Sequence, residues 1–233
     1  MTRKDILQKV KKTRLPFVVV KSAQSLDGKI ATASGQSKWI TSKETRIFSR
    51  RQRARFDAIL TGINTVLKDN PSLSPSVKKK NFKKVILDTR LRISPRAKLF
   101  QDIVPEQCIV VTGTGYSRAK YKQLTQRGIN VVVCPIQNGR IKLKSCFKKL
   151  ADMGVSSLLI EGGAQVIGEA LKAGLVDMAH IYIAPKIFGD AAALSSVAGL
   201  NVTSVNKTFG LKNITVKRFK QDLLVQGYVY RNR

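Results

Sequence analysis

Cysteine and histidine are scarce in this chain, and so are acids. Three cysteines (Cys108, Cys134, Cys146) and one histidine (His180) are spread over 233 residues. They form no C-x-x-C pair, which argues against a disulfide framework and against a zinc site. No metal is expected. His180 heads an apolar run and reads as structural. No Ser-His-Asp arrangement finds support, and the H-x-E and P-C-x-x-C signature of zinc deaminases is absent. No apolar run approaches the roughly 18 to 20 residues of a membrane span. The basic start (Arg3, Lys4, Lys9, Lys11, Lys12, Arg14) leads into no secretory h-region with a cleavage site. A cytoplasmic protein is the expectation, and no membrane partner. Aromatics make up 6% of the chain, and no RNP-like, zinc-finger or helix-turn-helix signature accompanies them, which counts against a dedicated nucleic-acid module.

Acids number 14 against 43 Lys and Arg, giving a net charge of +29. That field attracts phosphates of any kind, from nucleic acids to nucleotide cofactors and sugar phosphates, and its sign alone does not choose among them. The bases are spread over the whole chain, with local clusters at 9–14, 50–55, 78–84 and 142–149. Most read as solvated faces. The hydrophobic fraction of 43% allows a substantial core, so global disorder is excluded.

Period and punctuation predict alternating strands and helices. "PFVVVKSA" (16–23) reads as a buried first strand, and Asp27-Gly28 follows as a turn signal. Thr41 and Glu44 fit a capping box opening a helix over 42–56, and "DAILTG" (57–62) is a short second strand. A short helix then ends at Asn70-Pro71. Strands are predicted at 83–89, 107–113, 129–135, 156–163 and 179–189, with helices at 117–128, 142–154 and 164–174. The last two runs, "KNITVKRF" and "LLVQGYVY", form an antiparallel pair. The pattern is that of an α/β protein with a central, mostly parallel mixed sheet covered on both faces. With no linker, repeat or low-complexity tract, the chain divides into a basic N-terminal extension (1–14) and a single domain (15–233).

Several polar positions fall where open α/β sheets bind ligands, at the C-terminal ends of strands. Glu161-Gly162-Gly163 lies between a strand and a helix, where glycines let backbone N–H groups approach an anion; a tight turn without a ligand has the same spacing. Lys21, Ser25, Asp27 and Lys29 gather at the end of the first strand. Trp39, the only tryptophan, reads either as core or as a platform for a planar ring. Thr65, Asp69 and Leu73 share one side at a four-residue spacing. Arg53 suits a phosphate, or the solvated face of "RRQRAR".

Taken together, "VKSAQSLDGKIATASGQSKWITS" (20–42), "DAILTGINTVLKDNPSLS" (57–74), "VILDTRLRI" (85–93), "IEGGAQVIGEALKAGLVD" (160–177) and "IYIAPKIFGD" (181–190) resemble the pyrimidine reductase of riboflavin biosynthesis. In many bacteria that reductase is fused behind a zinc deaminase domain. The resemblance implies a three-layer αβα, dihydrofolate-reductase-like fold, usually a homodimer. It implies NADPH as cofactor and a phosphorylated aminopyrimidine, 5-amino-6-(5-phosphoribosylamino)uracil, as substrate, whose ribosyl group becomes ribityl. A separate deaminase chain is then the expected pathway partner. Carried over position by position, the resemblance puts Ala23, Trp39, Thr65, Asp69 and Thr89 at the dinucleotide. Gly163, Ala164, Gln165, Val166, Ile167, Gly168 and Glu169 fall on the phosphate-binding turn and helix start. Lys21, Ser37, Arg53, Leu73 and Glu161 match substrate positions, with Lys21 and Arg53 on the ribose phosphate.

The chain departs from the family after "NPSL", where Thr-x-Arg is common: here "SPS" places Ser76 at the phosphate-binding arginine. Lys78, Lys79 and Lys80 are the candidates to replace its charge. Asp69 and Glu161 are the candidate catalytic acids; each could instead orient ligands, with a substrate-bound water as the proton source. Two alternatives stand beside this reading. One is a related reductase acting on the diaminopyrimidinone precursor or on another pyrimidine or pterin. The other is a basic, nucleic-acid-binding protein on a reductase scaffold.

Overall fold

A computed structural model describes residues 1–77, 79–101 and 104–231. Along the chain run α1 (Arg3–Thr13), β1 (Phe17–Gln24), β2 (Lys29–Ala31), α2 (Lys43–Gln52), a 3-10 turn (Arg53–Arg55), β3 (Ala58–Gly62), α3 (Ile63–Asp69) and β4 (Lys83–Leu87). Then come β5 (Cys108–Thr112), α4 (Arg118–Thr125), β6 (Asn130–Val133), β7 (Ile136–Gln137), β8 (Arg140–Ile141), α5 (Leu143–Asp152) and β9 (Ser157–Glu161). The last third holds α6 (Ala164–Lys172), β10 (Met178–Ile183), β11 (Leu194–Ser195), β12 (Phe209–Phe219) and β13 (Asp222–Arg231). These elements form two compact units, one from Met1–Phe17 and Arg50–Leu159, the other from Val18–Ser49 and Ile160–Arg233.

The first unit is built on parallel strands in the order β3-β4-β5-β6. Their β-branched runs are buried on both faces, as parallel strands flanked by helices require. One face packs into a cluster that includes Ile59, Ile86, Val110, Phe82 and Leu124. On α5 the buried residues Leu143, Cys146, Phe147 and Leu150 recur at helical spacing. Asp57 anchors the start of β3 to the start of β9: its carboxylate accepts the N–H groups of Ser156 (3.1 Å) and Ser157 (3.0 Å).

The second unit orders its strands β12-β13-β10-β1, with β1 parallel to β10 and the rest antiparallel. The α/β character and the C-terminal antiparallel pair agree with the sequence pattern. Asp177 fixes the start of the β1–β10 ladder, its carboxylate accepting the Val18 N–H at 2.8 Å.

Several local expectations are corrected. Residues 1–14 are not simply a basic extension, because Thr2 and Asp5 form a reciprocal capping box that opens α1. The helix after Thr41 is capped by Ser42, whose Oγ accepts the Thr45 N–H at 3.3 Å, while Glu44 pairs with Lys220 at 2.9 Å. Leu73 does not continue the face of Thr65 and Asp69, since Asn70 turns left-handed and ends α3 before Pro71. The strand predicted over 179–189 stops at Ile183, because Pro185 has no N–H to continue a ladder. Residues beyond it are held from the side instead. Asp27 accepts the N–H groups of Phe188 (3.1 Å) and Gly189 (2.9 Å) and the Ser25 hydroxyl (2.5 Å). Among the described residues no helix is long and apolar enough to cross a membrane.

Two stability predictions follow from these contacts. A Cβ added at Gly168 would lie 1.8 Å from the Ala198 carbonyl oxygen, a backbone atom. Gly168→Ala is expected to cost about 1 to 3 kcal/mol in urea unfolding. The Ser25 hydroxyl and the Gly189 and Phe188 N–H groups hold the Asp27 carboxyl below its ordinary 3.8, at about 2. A lowered carboxyl stabilises the fold above its unfolded pKa and loses that contribution as pH falls through the folded one. Wild type should therefore exceed Asp27→Asn in unfolding stability by a constant margin at neutral pH, and that margin should close as the pH falls to about 2.

Candidate functional site

In the second unit, β1 sets out its side chains with period two, so Lys21 and Ala23 share a face. The parallel register places His180 beside Lys21 and Tyr182 beside Ala23. The Lys21 ammonium stands 5.5 Å from the centroid of the Tyr182 ring. Burial pushes the Tyr182 hydroxyl up to about 12; the Glu161 charge adds to the rise, and a hydrogen bond with Ser49 opposes it. Tyr182 thus stays neutral near pH 7. The sequence reading passed over this residue. Its only signal was alternation within "HIYI", which marks a strand but not the neighbour across it.

Glu161 is buried at the end of β9. Gly162 and Gly163 follow with φ of 83° and 77°, a conformation that disfavours any side chain and explains the pair of glycines. Gly163 is the N-cap of α6 and supplies no side-chain cap, so the first turn directs its backbone N–H groups outward. Of the stretch 163–169, Ile167 and Gly168 pack inward, Gly168 against Ala198. Gly163, Ala164 and Val166 are half-buried and Gln165 is exposed. Such a turn has the backbone geometry that can accept an anion.

Trp39 is 58% exposed, so it is not a core residue. The Arg46 guanidinium lies 4.1 Å from the ring centroid, and the Lys38 ammonium 6.0 Å. Ser37 is half-buried in the same irregular segment.

The first unit carries the remaining positions. Thr65 and Asp69 lie one turn apart on α3, Thr65 half-buried and Asp69 exposed at its last turn. Leu73 is buried with φ of 57° in the loop beyond. Thr89 follows β4, its carbonyl accepting the Thr112 hydroxyl at 3.1 Å. Arg53 donates to the Ser74 carbonyl at 3.0 Å, so it is joined to the loop that carries Ser76, where the resemblance leads one to expect an arginine. Lys79 does not fill that gap. Its ammonium is held by the Phe56 carbonyl at 2.5 Å and the Asp57 carboxylate at 3.3 Å. Lys80 is exposed, and Lys78 lies outside the described residues. Among the described residues no cluster of ligands could hold a metal ion.

Residues 16–225 match the family model described as RibD C-terminal domain. Riboflavin biosynthesis protein RibD of Bacillus amyloliquefaciens is 36% identical over 95% of this chain and 62% of its own length. The structure of Acinetobacter baumannii RibD superposes with a TM-score of 0.80 at 30% identity, covering 97% of this chain and 62% of that one. A diaminohydroxyphosphoribosylaminopyrimidine deaminase/5-amino-6-(5-phosphoribosylamino)uracil reductase from Thermotoga maritima superposes with a TM-score of 0.74 at 28% identity, covering 96% and 59%. The chain thus spans about three fifths of the length of these relatives. With both sequence and fold matched from the first strand to the last hairpin, the chain belongs to the RibD C-terminal domain family.

Proposed function

We propose that this chain is an NADPH-dependent reductase that converts the ribosyl group of 5-amino-6-(5-phosphoribosylamino)uracil to ribityl, with residues 15–233 acting as one reductase domain. Membership of the RibD C-terminal domain family carries the reading, together with the reductase named in the Thermotoga maritima relative. The residues present fit a dinucleotide. The two left-handed glycines and the side-chain-free N-cap of α6 suit a phosphate, and the exposed indole suits a planar ring. Gly163, Ala164 and Gln165 would hold the phosphate, with Trp39, Ala23, Thr65 and Thr89 along the rest of the cofactor. When bound, NADPH supplies the hydride that reduces the sugar's anomeric carbon.

The chain's own residues bind, orient and protonate. Lys21 and Arg53 hold the substrate phosphate by charge, and Ser37 and Leu73 bound the substrate. Reduction also requires a proton at the former ring oxygen. Glu161 is better suited to that exchange than Asp69, because it is buried at a strand end near the neutral Tyr182 hydroxyl, whereas Asp69 is exposed. A homodimer belongs to the same reading: β12 is the outer strand of its unit and carries Ile214 and Val216, 55% and 63% exposed on one face.

The decisive assay is NADPH oxidation by the purified chain with the uracil and the diaminopyrimidinone ribosyl phosphates. The uracil form should turn over, and Lys21→Ala should lower kcat/KM by about 10- to 100-fold, the worth of one charge-assisted contact. Ser76→Arg should lower KM for the phosphorylated substrate about tenfold. Preference for the diaminopyrimidinone would move the substrate. Steeply salt-dependent nucleic-acid binding without NADPH affinity would overturn the enzyme reading. Sedimentation velocity should give a dimer that Val216→Lys converts to monomer, and a monomeric wild type would remove dimerisation from the proposal.

A further inference from the structure

Trp39 lies in a stretch with no helix or strand between β2 and α2, and its ring is largely in solvent. A platform in such a segment binds a planar ring well only if something fixes it beforehand, because ordering a loop upon binding subtracts from affinity. The fixings are unusual in kind. Three neighbouring backbone groups are each taken by a charged side chain from a different element. The Trp39 carbonyl accepts from the Lys186 ammonium at 2.7 Å. The Thr41 carbonyl accepts from Arg46 of α2 at 2.6 Å, and the same guanidinium covers the indole. The Ser42 N–H donates at 2.7 Å to Asp222, which opens β13 and is fully buried. Arg46 and Asp222 are set in regular elements. Lys186 is not, since it lies in the segment beyond β10.

That segment has a fixing of its own. The Leu26 N–H donates to the Lys186 carbonyl at 2.7 Å, and Asp27 accepts from Phe188 and Gly189 two and three residues further on. The turn at 25–28 therefore grips residues 186–189, and Lys186 reaches from that grip to the backbone of Trp39. Resting on the reductase reading above, we propose that Lys186 is a positioning residue. It is held by the Asp27 turn, and it fixes Trp39 as a preformed platform for a planar ring of the cofactor. It touches no reacting atom. Its effect is on the binding of the cofactor rather than on the chemical step.

Trp39 is the only tryptophan of the chain, so intrinsic fluorescence reports on this one side chain. The experiment is time-resolved anisotropy of wild type, Lys186→Met, Asp27→Asn and Lys186→Arg, followed by titration of each with NADPH and readout by quenching of the same indole. Lys186→Met keeps the aliphatic stem and removes the donor; it should add a fast local component to the anisotropy decay. Asp27→Asn should do the same without touching Lys186, and Lys186→Arg should restore the slow decay. The NADPH dissociation constant should rise about tenfold in Lys186→Met, the loss of one charge-assisted contact or 1.4 kcal/mol. At saturating NADPH, kcat should stay within about twofold, a split that general loss of structure would not give.

Unchanged anisotropy in both Lys186→Met and Asp27→Asn overturns the proposal. So does a loosened indole with the wild-type dissociation constant. If NADPH fails to quench even the wild-type protein, the reductase reading falls. The Asp27–Lys186 fixing of Trp39 is then decided by the anisotropy alone.

Discussion

The bond on which this structure most depends is that between an aspartate and a backbone N–H. In a chain with 14 acids and 43 bases, ion pairing might be expected to absorb every carboxylate. Instead, Asp27, Asp57, Asp177 and Asp222 each accept from the backbone of a segment about 100 residues or more away, and Asp88 accepts from the Ile93 N–H in the turn beyond it. Such a bond is charge-assisted on one side only, so it fixes geometry without ordering a second long side chain. Each of these aspartates also lies where the chain leaves or enters regular structure. Several of the proposed ligand positions occupy the same junctions. Glu161 ends a strand, Thr89 directly follows Asp88, and Trp39 precedes the N–H that Asp222 holds.

Much of the fold was legible in the sequence because its strands are short, β-branched and bounded by glycine or proline, and because α5 repeats its apolar residues at helical spacing. The misreadings have separate physical causes. Positive charge masked the Thr2-x-x-Asp5 box, although that pattern is a helix start. Pro185 was absorbed into a strand because the residues around it are apolar. Thr41 and Ser42 are adjacent hydroxyls, and only the observed hydrogen bond identifies Ser42 as the cap. At the site, residue types alone did not reveal Tyr182, whose importance depends on a strand register linking residues far apart in sequence. Asp27-Gly28 is the turn its residues predict, but the backbone N–H groups that Asp27 holds lie more than 160 residues away.

The departure at Ser76 is more sharply drawn in three dimensions than in sequence. Arg53 reaches the loop that should carry a second cation, and Lys79, the nearest described lysine, is committed to Asp57. In the proposed reaction, phosphate recognition by Arg53 would therefore have no second fixed cation from this loop among the described residues. The general surplus of +29 adds a long-range attraction for anions that is diffuse and sensitive to salt, so it does not substitute for a placed guanidinium.

The division of the chain between two units also bears on the order in which the protein assembles. The first unit draws almost entirely on the continuous stretch Arg50–Leu159, whereas the second needs Val18–Ser49 together with Ile160–Arg233. β1 is made early, yet its β10 partner in the same unit is separated from it by more than 150 residues. During synthesis β1 must wait, a β-branched strand without its β10 neighbour, while the parallel sheet of the first unit has all its strands to hand. Closing so long a loop is entropically costly and slow. The same topology that sets Lys21 beside β10 thus makes closure of a long loop a condition for completing the sheet of the second unit.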